Sequence, residues 1–381
     1  MNVVTLLQPP RIIFGNGCAG QCIEALAHYG ARRVLLVSSS PVLPQLSPLL
    51  ESLARAGCDL VKSAPVDREP TRGMFAEVLR AARESKADAV MGIGGGSALD
   101  VAKLVAALAD GAQTVEGVLG INLLRGRSLP LVCLPTTAGT GSEVSPNAIL
   151  LDEADQLKKG AVSPFLVPDA AIVDPLLTVS APPAVTAATG LDALTHCIEA
   201  YANKFSHPAV DLYALEGIRL IAAHLLRAVR DGRDLEARAS LALGSLYGGL
   251  CLGPVNTAAV HALAYPLGGR FHVAHGVSNA VLLPQVLRFN LKAAPERYAQ
   301  VAVALGVPAN GNASATAERG LEQLAELSRA CGVPQSLSEL KIPRDAIPLL
   351  AKGAMQVTRL LKNNMRPVTE ADAVAIYEAS Y

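Results

Sequence analysis

The sequence predicts a two-domain chain, an α/β N-terminal half followed by an all-α C-terminal half, on three observations. Short β-branched runs alternate with helical patterns up to Pro175. Strand signals then fade into long Ala/Leu-rich helical patterns. The 381 residues also exceed what one hydrophobic core ordinarily organises. The domains are expected at 1–175 and 176–381.

Taken in order, residues 33–37 and 89–93 read as buried strands ending in small polar or glycine residues, with an amphipathic helix over 74–85 between them. Residues 129–134 form a third such run, ended by Pro135. Strand, helix, strand at this spacing means a parallel sheet whose ligand site lies at the carboxyl ends of its strands. Beyond Pro175, helical patterns cover 191–201, 209–228, 235–252 and 315–330. No repeat, low-complexity tract or flexible linker interrupts the chain.

Composition excludes several functions. Lys plus Arg and Asp plus Glu both total 33, so no net charge draws in nucleic acid or an acidic membrane. The seven cysteines are scattered and odd in number, which fits a reducing cytoplasm better than a disulfide framework. The segment from Met1 to Arg11 has no basic start followed by a long apolar stretch, so no signal peptide is expected. Residues 239–269 lack Asp, Glu, Lys and Arg, but Gly244, Gly248, Gly249, Gly253 and Pro254 break the stretch. It reads as buried helices rather than a bilayer span.

Two turns carry nucleotide chemistry. Gly94-Gly95-Gly96-Ser97 follows a strand and opens a helix, where glycines let the backbone approach a pyrophosphate and the helix N-terminus favours negative charge. The spacing is not G-x-G-x-x-G, and a tight turn alone accounts for three glycines nearly as well. Thr136 and Thr137 open a second hydroxyl- and glycine-rich turn after the next strand, a setting that also occurs as a plain polar loop.

Asp192 and His196 are four apart, so a helix places both on one face. His261 lies in an apolar helix that Pro266 and Gly268-Gly269 are expected to stop, and the turn brings His275 back towards it. A single histidine on an apolar helix is ordinarily a hydrogen-bonded core residue. Three of seven histidines with one acid in the least charged part of the chain read instead as a divalent-metal site, because a cation removes the cost of the buried carboxylate. The donor set suits Fe(II) or Zn(II) alike. A metal that holds a substrate oxygen beside a nucleotide that takes the hydride implies redox chemistry on a small oxygenated molecule.

The segments GGGSALDVAK, LPTTAGTGSEVSPNA, GLDALTHCIEAY, VHALAYPLGGRFHVAHGVSNAVLLP and NNMRPVT resemble the metal-dependent, iron-containing (group III) alcohol dehydrogenase family, from Pro10 nearly to the C-terminus. That resemblance implies a dehydroquinate synthase-like architecture, an α/β N-terminal nucleotide-binding domain plus an all-α C-terminal metal-binding domain. It implies a metal-dependent alcohol dehydrogenase or aldehyde reductase using NAD or NADP, and a homodimer. By it, Asp192, His196, His261 and His275 match metal ligands; Gly95, Gly96, Ser97, Thr136 and Thr137 match cofactor contacts, with Asp100 and Lys103 close by. Lys158, with Lys159 as competitor, matches a cofactor-contacting lysine, and Asn147 and Leu252 face substrate.

Three departures from the family pattern stand out. Members that prefer NAD often carry Asp after the second strand, where this chain has Ser39, so NADP is expected to be tolerated. Tyr265 replaces a histidine that is a candidate proton relay, leaving Tyr265, His272, a ribose hydroxyl or water for that task. Glu69 stands where Asn is frequent. Rival readings are a metal-independent reductase resembling maleylacetate reductase, a lyase or synthase on the same scaffold, and a non-catalytic nucleotide-binding protein.

Overall fold

The structure, a computed structural model, describes residues 3–154 and 156–381. Met1, where the segment read as lacking a signal peptide begins, lies outside the described residues. The chain forms two compact units. One comprises 6–137 and 141–181; the other comprises 182–381 with 138–140 and the N-terminal residues up to Thr5. The division expected at 175 therefore falls inside the first unit, because Pro175 opens a short 3-10 turn to Thr178 whose chain stays with the sheet.

The first unit contains, in chain order, β1 (Arg11–Phe14), α1 (Gln21–His28), β2 (Arg33–Ser38), α2 (Ser47–Arg55), β3 (Asp59–Lys62), α3 (Arg72–Glu84), β4 (Ala89–Gly94), α4 (Gly96–Leu108), β5 (Gly120–Ile121), β6 (Leu131–Pro135), β7 (Asn147–Asp152), β8 (Leu157–Val162) and β9 (Ala170–Val173). Six strands form a parallel sheet in the order β1-β9-β6-β4-β2-β3. β4 and β6 are buried along their whole length, as expected for central parallel strands covered on both faces, and this explains their unbroken apolar runs. Gly92 and Gly94 let α4 lie close on β4, since a Cβ at either would sit under 3 Å from Ala102 or Ala98. A second, three-stranded sheet, β5-β8-β7, pairs β7 and β8 as an antiparallel hairpin. The sequence reading missed it, because Lys158, Lys159 and Gly160 interrupt the apolar alternation of β8.

The second unit is helical: α5 (Pro183–Tyr201), α6 (Pro208–Arg230), α7 (Leu235–Leu252), α8 (Ala259–Phe271), α9 (His275–Leu291), α10 (Pro295–Ala304), α11 (Ala313–Ala330), α12 (Ile347–Ala354), α13 (Thr358–Leu361) and α14 (Glu370–Ala379). From Leu191 to Tyr201 every residue of α5 is buried, its polar Asp192, Thr195, His196 and Glu199 included, so this helix lies in the interior of the unit. The uncharged stretch 239–269 becomes α7 and most of α8. Among the described residues no helix is long and apolar enough to cross a membrane. Contrary to expectation, Pro266 does not stop α8, which continues to Phe271; its ring packs on α12 near Gly353. The helix ends at His272, whose backbone is left-handed at φ 54° and whose N–H donates to the Leu267 carbonyl.

Candidate metal centre and nucleotide turns

Within the helical unit, three helices bring four donors together. α5 supplies Asp192 and His196 one turn apart, α8 supplies His261, and His275 is the first residue of α9. Their ligand atoms all lie within 4.8 Å of one another. Asp192 Oδ1 is 3.6 Å from Nε2 of both His261 and His275 and 3.9 Å from Nε2 of His196. The edge of a tetrahedron of donors each about 2.1 Å from a transition-metal ion is roughly 3.4 Å, so the spacing fits such a cation. Asp192, His196 and His261 are buried, and the His275 side chain is 24% exposed, which leaves one side of the cluster accessible.

Close helix contacts set this geometry. A Cβ on Gly276 would stand 2.1 Å from the carbonyl oxygen of Ala188, so only glycine lets the start of α9, with His275, approach α5. On the other side of α5, a Cβ on Gly248 of α7 would meet Cβ of His196 at 3.2 Å.

Two further side chains complete the cluster. Glu199, one turn beyond His196, has Oε2 2.6 Å from Nδ1 of His261, while Oε1 accepts the Val260 N–H at 2.6 Å. This fixes Nε2 of His261 as the free donor atom facing Asp192. Asn279, fully buried on α9, places Nδ2 2.6 Å from Asp192 Oδ1.

The electrostatics follow from burial and these partners. Burial drives His196 down to about 4, although Asp192 pulls it the other way. Burial also opposes charge on His261, but the adjoining Asp192 carboxylate and the hydrogen-bonded Glu199 outweigh it and raise the ring to about 9. Burial alone would raise Asp192; the charges of His196 and His275, with His261 close by, reverse that and lower it. Asp192 is thus held as a carboxylate among the three rings.

Of the proposed proton groups, Tyr265 is buried in α8, its ring centroid 6.0 Å from that of His275. Arg359 donates to its hydroxyl at 2.8 Å. His272 is exposed at the end of α8. Leu252 is buried at the end of α7.

In the α/β unit the two turns adjoin, because β4 pairs with β6 in a register that sets Gly94 beside Pro135. The Thr136 N–H donates to the Gly94 carbonyl at 2.9 Å, and Thr137 Oγ1 lies 3.4 Å from where a Gly95 side chain would begin. Gly95 is the N-cap of α4 and has no side-chain cap, while Gly96 and Ser97 begin its first turn. Asp100 is turned inward: it accepts from the Ser142 hydroxyl at 2.6 Å and the Ile149 N–H at 2.9 Å. Lys103, fully buried, donates to Ser142, Ser145 and the Asn147 carbonyl. These two residues tie the second turn and β7 to α4.

Strand alternation separates the two candidate lysines. Lys158 pairs with Glu69 at 2.9 Å, which answers the charge that Glu69 brings, whereas Lys159 pairs with Asp152 across the hairpin at 2.7 Å. Asn147 opens β7 with a buried Oδ1. Ser39 follows β2 directly. Beside it, Asp67 accepts from the Ser40 N–H at 2.6 Å and the Ser40 hydroxyl at 2.7 Å. Asp67, from the loop after β3, thus sets a carboxylate beside the end of β2, where the sequence offers only Ser39 and its neighbours. Only the fold brings positions 40 and 67 together.

A parallel α/β unit with a glycine turn at a helix start, and a helical unit with a buried carboxylate among three imidazoles, are the features expected of a nucleotide-dependent metalloenzyme. Comparison with known proteins gives the family. The profile described as "Iron-containing alcohol dehydrogenase" matches residues 9–175, and "Fe-containing alcohol dehydrogenase family, C-terminal" matches 186–381. The chain is 40% identical to long-chain-alcohol dehydrogenase 1 of Geobacillus thermodenitrificans, covering 100% of this chain and 98% of that protein. It is 32% identical to the NAD-dependent methanol dehydrogenase of Bacillus methanolicus, covering 97% of each. Among solved structures, a 1,3-propanediol oxidoreductase superposes with a TM-score of 0.96 at 33% identity, covering 100% of both chains. The protein belongs to the iron-containing alcohol dehydrogenase family, and its activity is that of an alcohol dehydrogenase.

Proposed function

We propose that this chain interconverts a small aliphatic alcohol and its aldehyde, with Asp192, His196, His261 and His275 holding Fe(II), or Zn(II) in its place, and with a nicotinamide cofactor at the α4 turn. The observation that carries the reading is the convergence of one carboxylate and three imidazole nitrogens at 3.6–3.9 Å. When bound, such a cation supplies Lewis-acid polarisation of an alcohol or carbonyl oxygen, and the nicotinamide exchanges the hydride.

The residues prepare that chemistry. Asp192 offsets cationic charge in a buried place, and Glu199 holds His261 in the tautomer whose Nε2 can ligate. Backbone N–H groups of Gly96 and Ser97 at the start of α4 receive cofactor phosphate, with Thr136 and Thr137 beside them. Asn147 and Leu252 contact substrate. Tyr265 Oη, held by Arg359, or the exposed His272 hands the alcohol proton towards solvent. Lys158, tied to Glu69, contributes positive charge on the cofactor side. The cofactor is NAD or NADP, and the Asp67 carboxylate beside Ser40, next to the end of β2, favours NAD by repelling a 2′-phosphate bound at that strand end. A homodimer in a reducing cytoplasm belongs to the same proposal; all seven thiols are free.

The relatives act on alcohols as different as long-chain alcohols and methanol, so chain length follows from assay rather than kinship. The test is a panel of short and long alcohols and aldehydes with each nicotinamide, on protein loaded with iron or zinc. Replacing His261→Ala should abolish metal retention and cofactor turnover together. Full activity in chelator-stripped protein would overturn the metal assignment and favour a metal-independent reductase.

A further inference from the structure

The geometry points to Asn279 as an additional oxygen donor to the cation, an inference that rests on the metal site proposed above. Asn279 has no exposed surface, and its amide contacts three of the four donors. Nδ2 stands 2.6 Å from Asp192 Oδ1, 3.2 Å from His261 Nε2 and 3.4 Å from His275 Nε2. The other end of the amide, Oδ1, is buried with no hydrogen-bond partner.

Those contacts are the face of the donor cluster bounded by Asp192, His261 and His275. A cation held there uses the same lone pairs to which the amino group points, and an N–H2 group next to it would set positive against positive. The two ends of a primary amide have nearly the same shape, so a half-turn about the last side-chain bond fits the same space. It exchanges the amino group for the carbonyl oxygen, which has lone pairs to offer and would stand 3.2 and 3.4 Å from the His261 and His275 nitrogens, at donor spacing, and closer, at 2.6 Å, to Asp192 Oδ1, from which a bound cation would draw it apart. Amide oxygens are ordinary ligands for divalent ions. The chain therefore offers a set of three nitrogens and two oxygens, which suits Fe(II) better than the closed four-donor arrangement common for structural zinc.

A purely positioning role makes the opposite prediction. If Asn279 acts by donating N–H to Asp192, then Asn279→Asp replaces an attraction by a repulsion between carboxylates and must weaken metal binding at least as much as Asn279→Leu. If the oxygen faces the cation, Asn279→Asp keeps the donor and adds charge. The experiment measures Fe(II) (anaerobic), Co(II) and Zn(II) affinity by chelator competition for wild type, Asn279→Asp, Asn279→Leu and His261→Ala, with circular dichroism and the metal-induced rise in Tm as checks on folding.

Expected are a roughly tenfold or larger loss for Asn279→Leu, wild-type or tighter binding for Asn279→Asp, and a Co(II) absorption spectrum that Asn279→Leu shifts towards lower coordination number. Asn279→Asp binding as weakly as Asn279→Leu, or an unchanged Co(II) spectrum in Asn279→Leu, overturns the inference while leaving the four-donor site intact. A wild-type protein that binds no metal, or a His261→Ala variant that binds normally, sinks the underlying site instead.

Discussion

Glu199 Oε2 lies 2.6 Å from His261 Nδ1, one helical turn beyond His196 on the same helix, so a single stretch of α5 provides two donors and orients a third on α8. A buried carboxylate on the far nitrogen of a ligating imidazole fixes its tautomer and raises its basicity. Replacing Glu199→Gln keeps the shape and removes the charge. Metal affinity should fall about 10- to 100-fold, measured by chelator competition; unchanged affinity would show that α8 alone positions His261.

Gly276 should tolerate no side chain. In Gly276→Ala the new methyl collides with the Ala188 carbonyl, and α9 must move away from α5 and take His275 with it. A loss of about 1–3 kcal/mol is expected from overpacking, together with weaker metal retention. Denaturant unfolding with and without Fe(II) separates the two effects. If stability falls while metal binding holds, His275 does not depend on this helix contact.

Glu143, in the turn after β6, gives a pH signature independent of the metal. Burial pushes its carboxyl up to about 7 from the ordinary 4.5, against the opposing pull of its own amide N–H and of Lys103. Below pH 4.5 the group is protonated folded or unfolded. Between 4.5 and 7 the unfolded chain has released the proton and the folded one has not, so stability declines as pH rises through that window. The difference amounts to about 3 kcal/mol above pH 7. Glu143→Gln should therefore raise Tm at pH 8 and leave it nearly unchanged at pH 4.5. An equal shift at both pH values would show that the carboxyl is not held neutral.

Cofactor choice should depend on Asp67. Asp67→Ser removes the charge beside Ser40 and should raise the ratio of kcat/KM with NADP to that with NAD by about tenfold, since charges a few ångströms apart near the surface interact by about 1 kcal/mol or more. The effect should shrink in high salt. A ratio that does not move would place the 2′-hydroxyl elsewhere than the end of β2.

Much of this was readable beforehand because local pattern reports local structure. The i, i+4 spacing of Asp192 and His196, the run before Gly94 and the fading of strand signals near Pro175 each state a period that one element must obey. Pro266 misled because its backbone penalty is local, while its contact with α12 near Gly353 is not. The β7–β8 hairpin was missed since its charged residues find partners only across the sheet and at Glu69.

The chain alone determined the donor types, the glycine turn and the order of α/β and helical halves, for these depend on composition and on neighbours within a few residues. Glu199 and Asn279 were in plain view, in Ile-Glu-Ala and Ser-Asn-Ala, yet nothing local marks them. Only tertiary structure decided that Glu199 meets His261 across 62 positions and that Asn279 reaches Asp192 across 87. The tertiary fold likewise decided that Asp67 would sit on Ser40. Distances between helices and between strand ends are set by the packing of whole surfaces, and small residues such as Gly276 acquire their meaning only when the opposing backbone arrives.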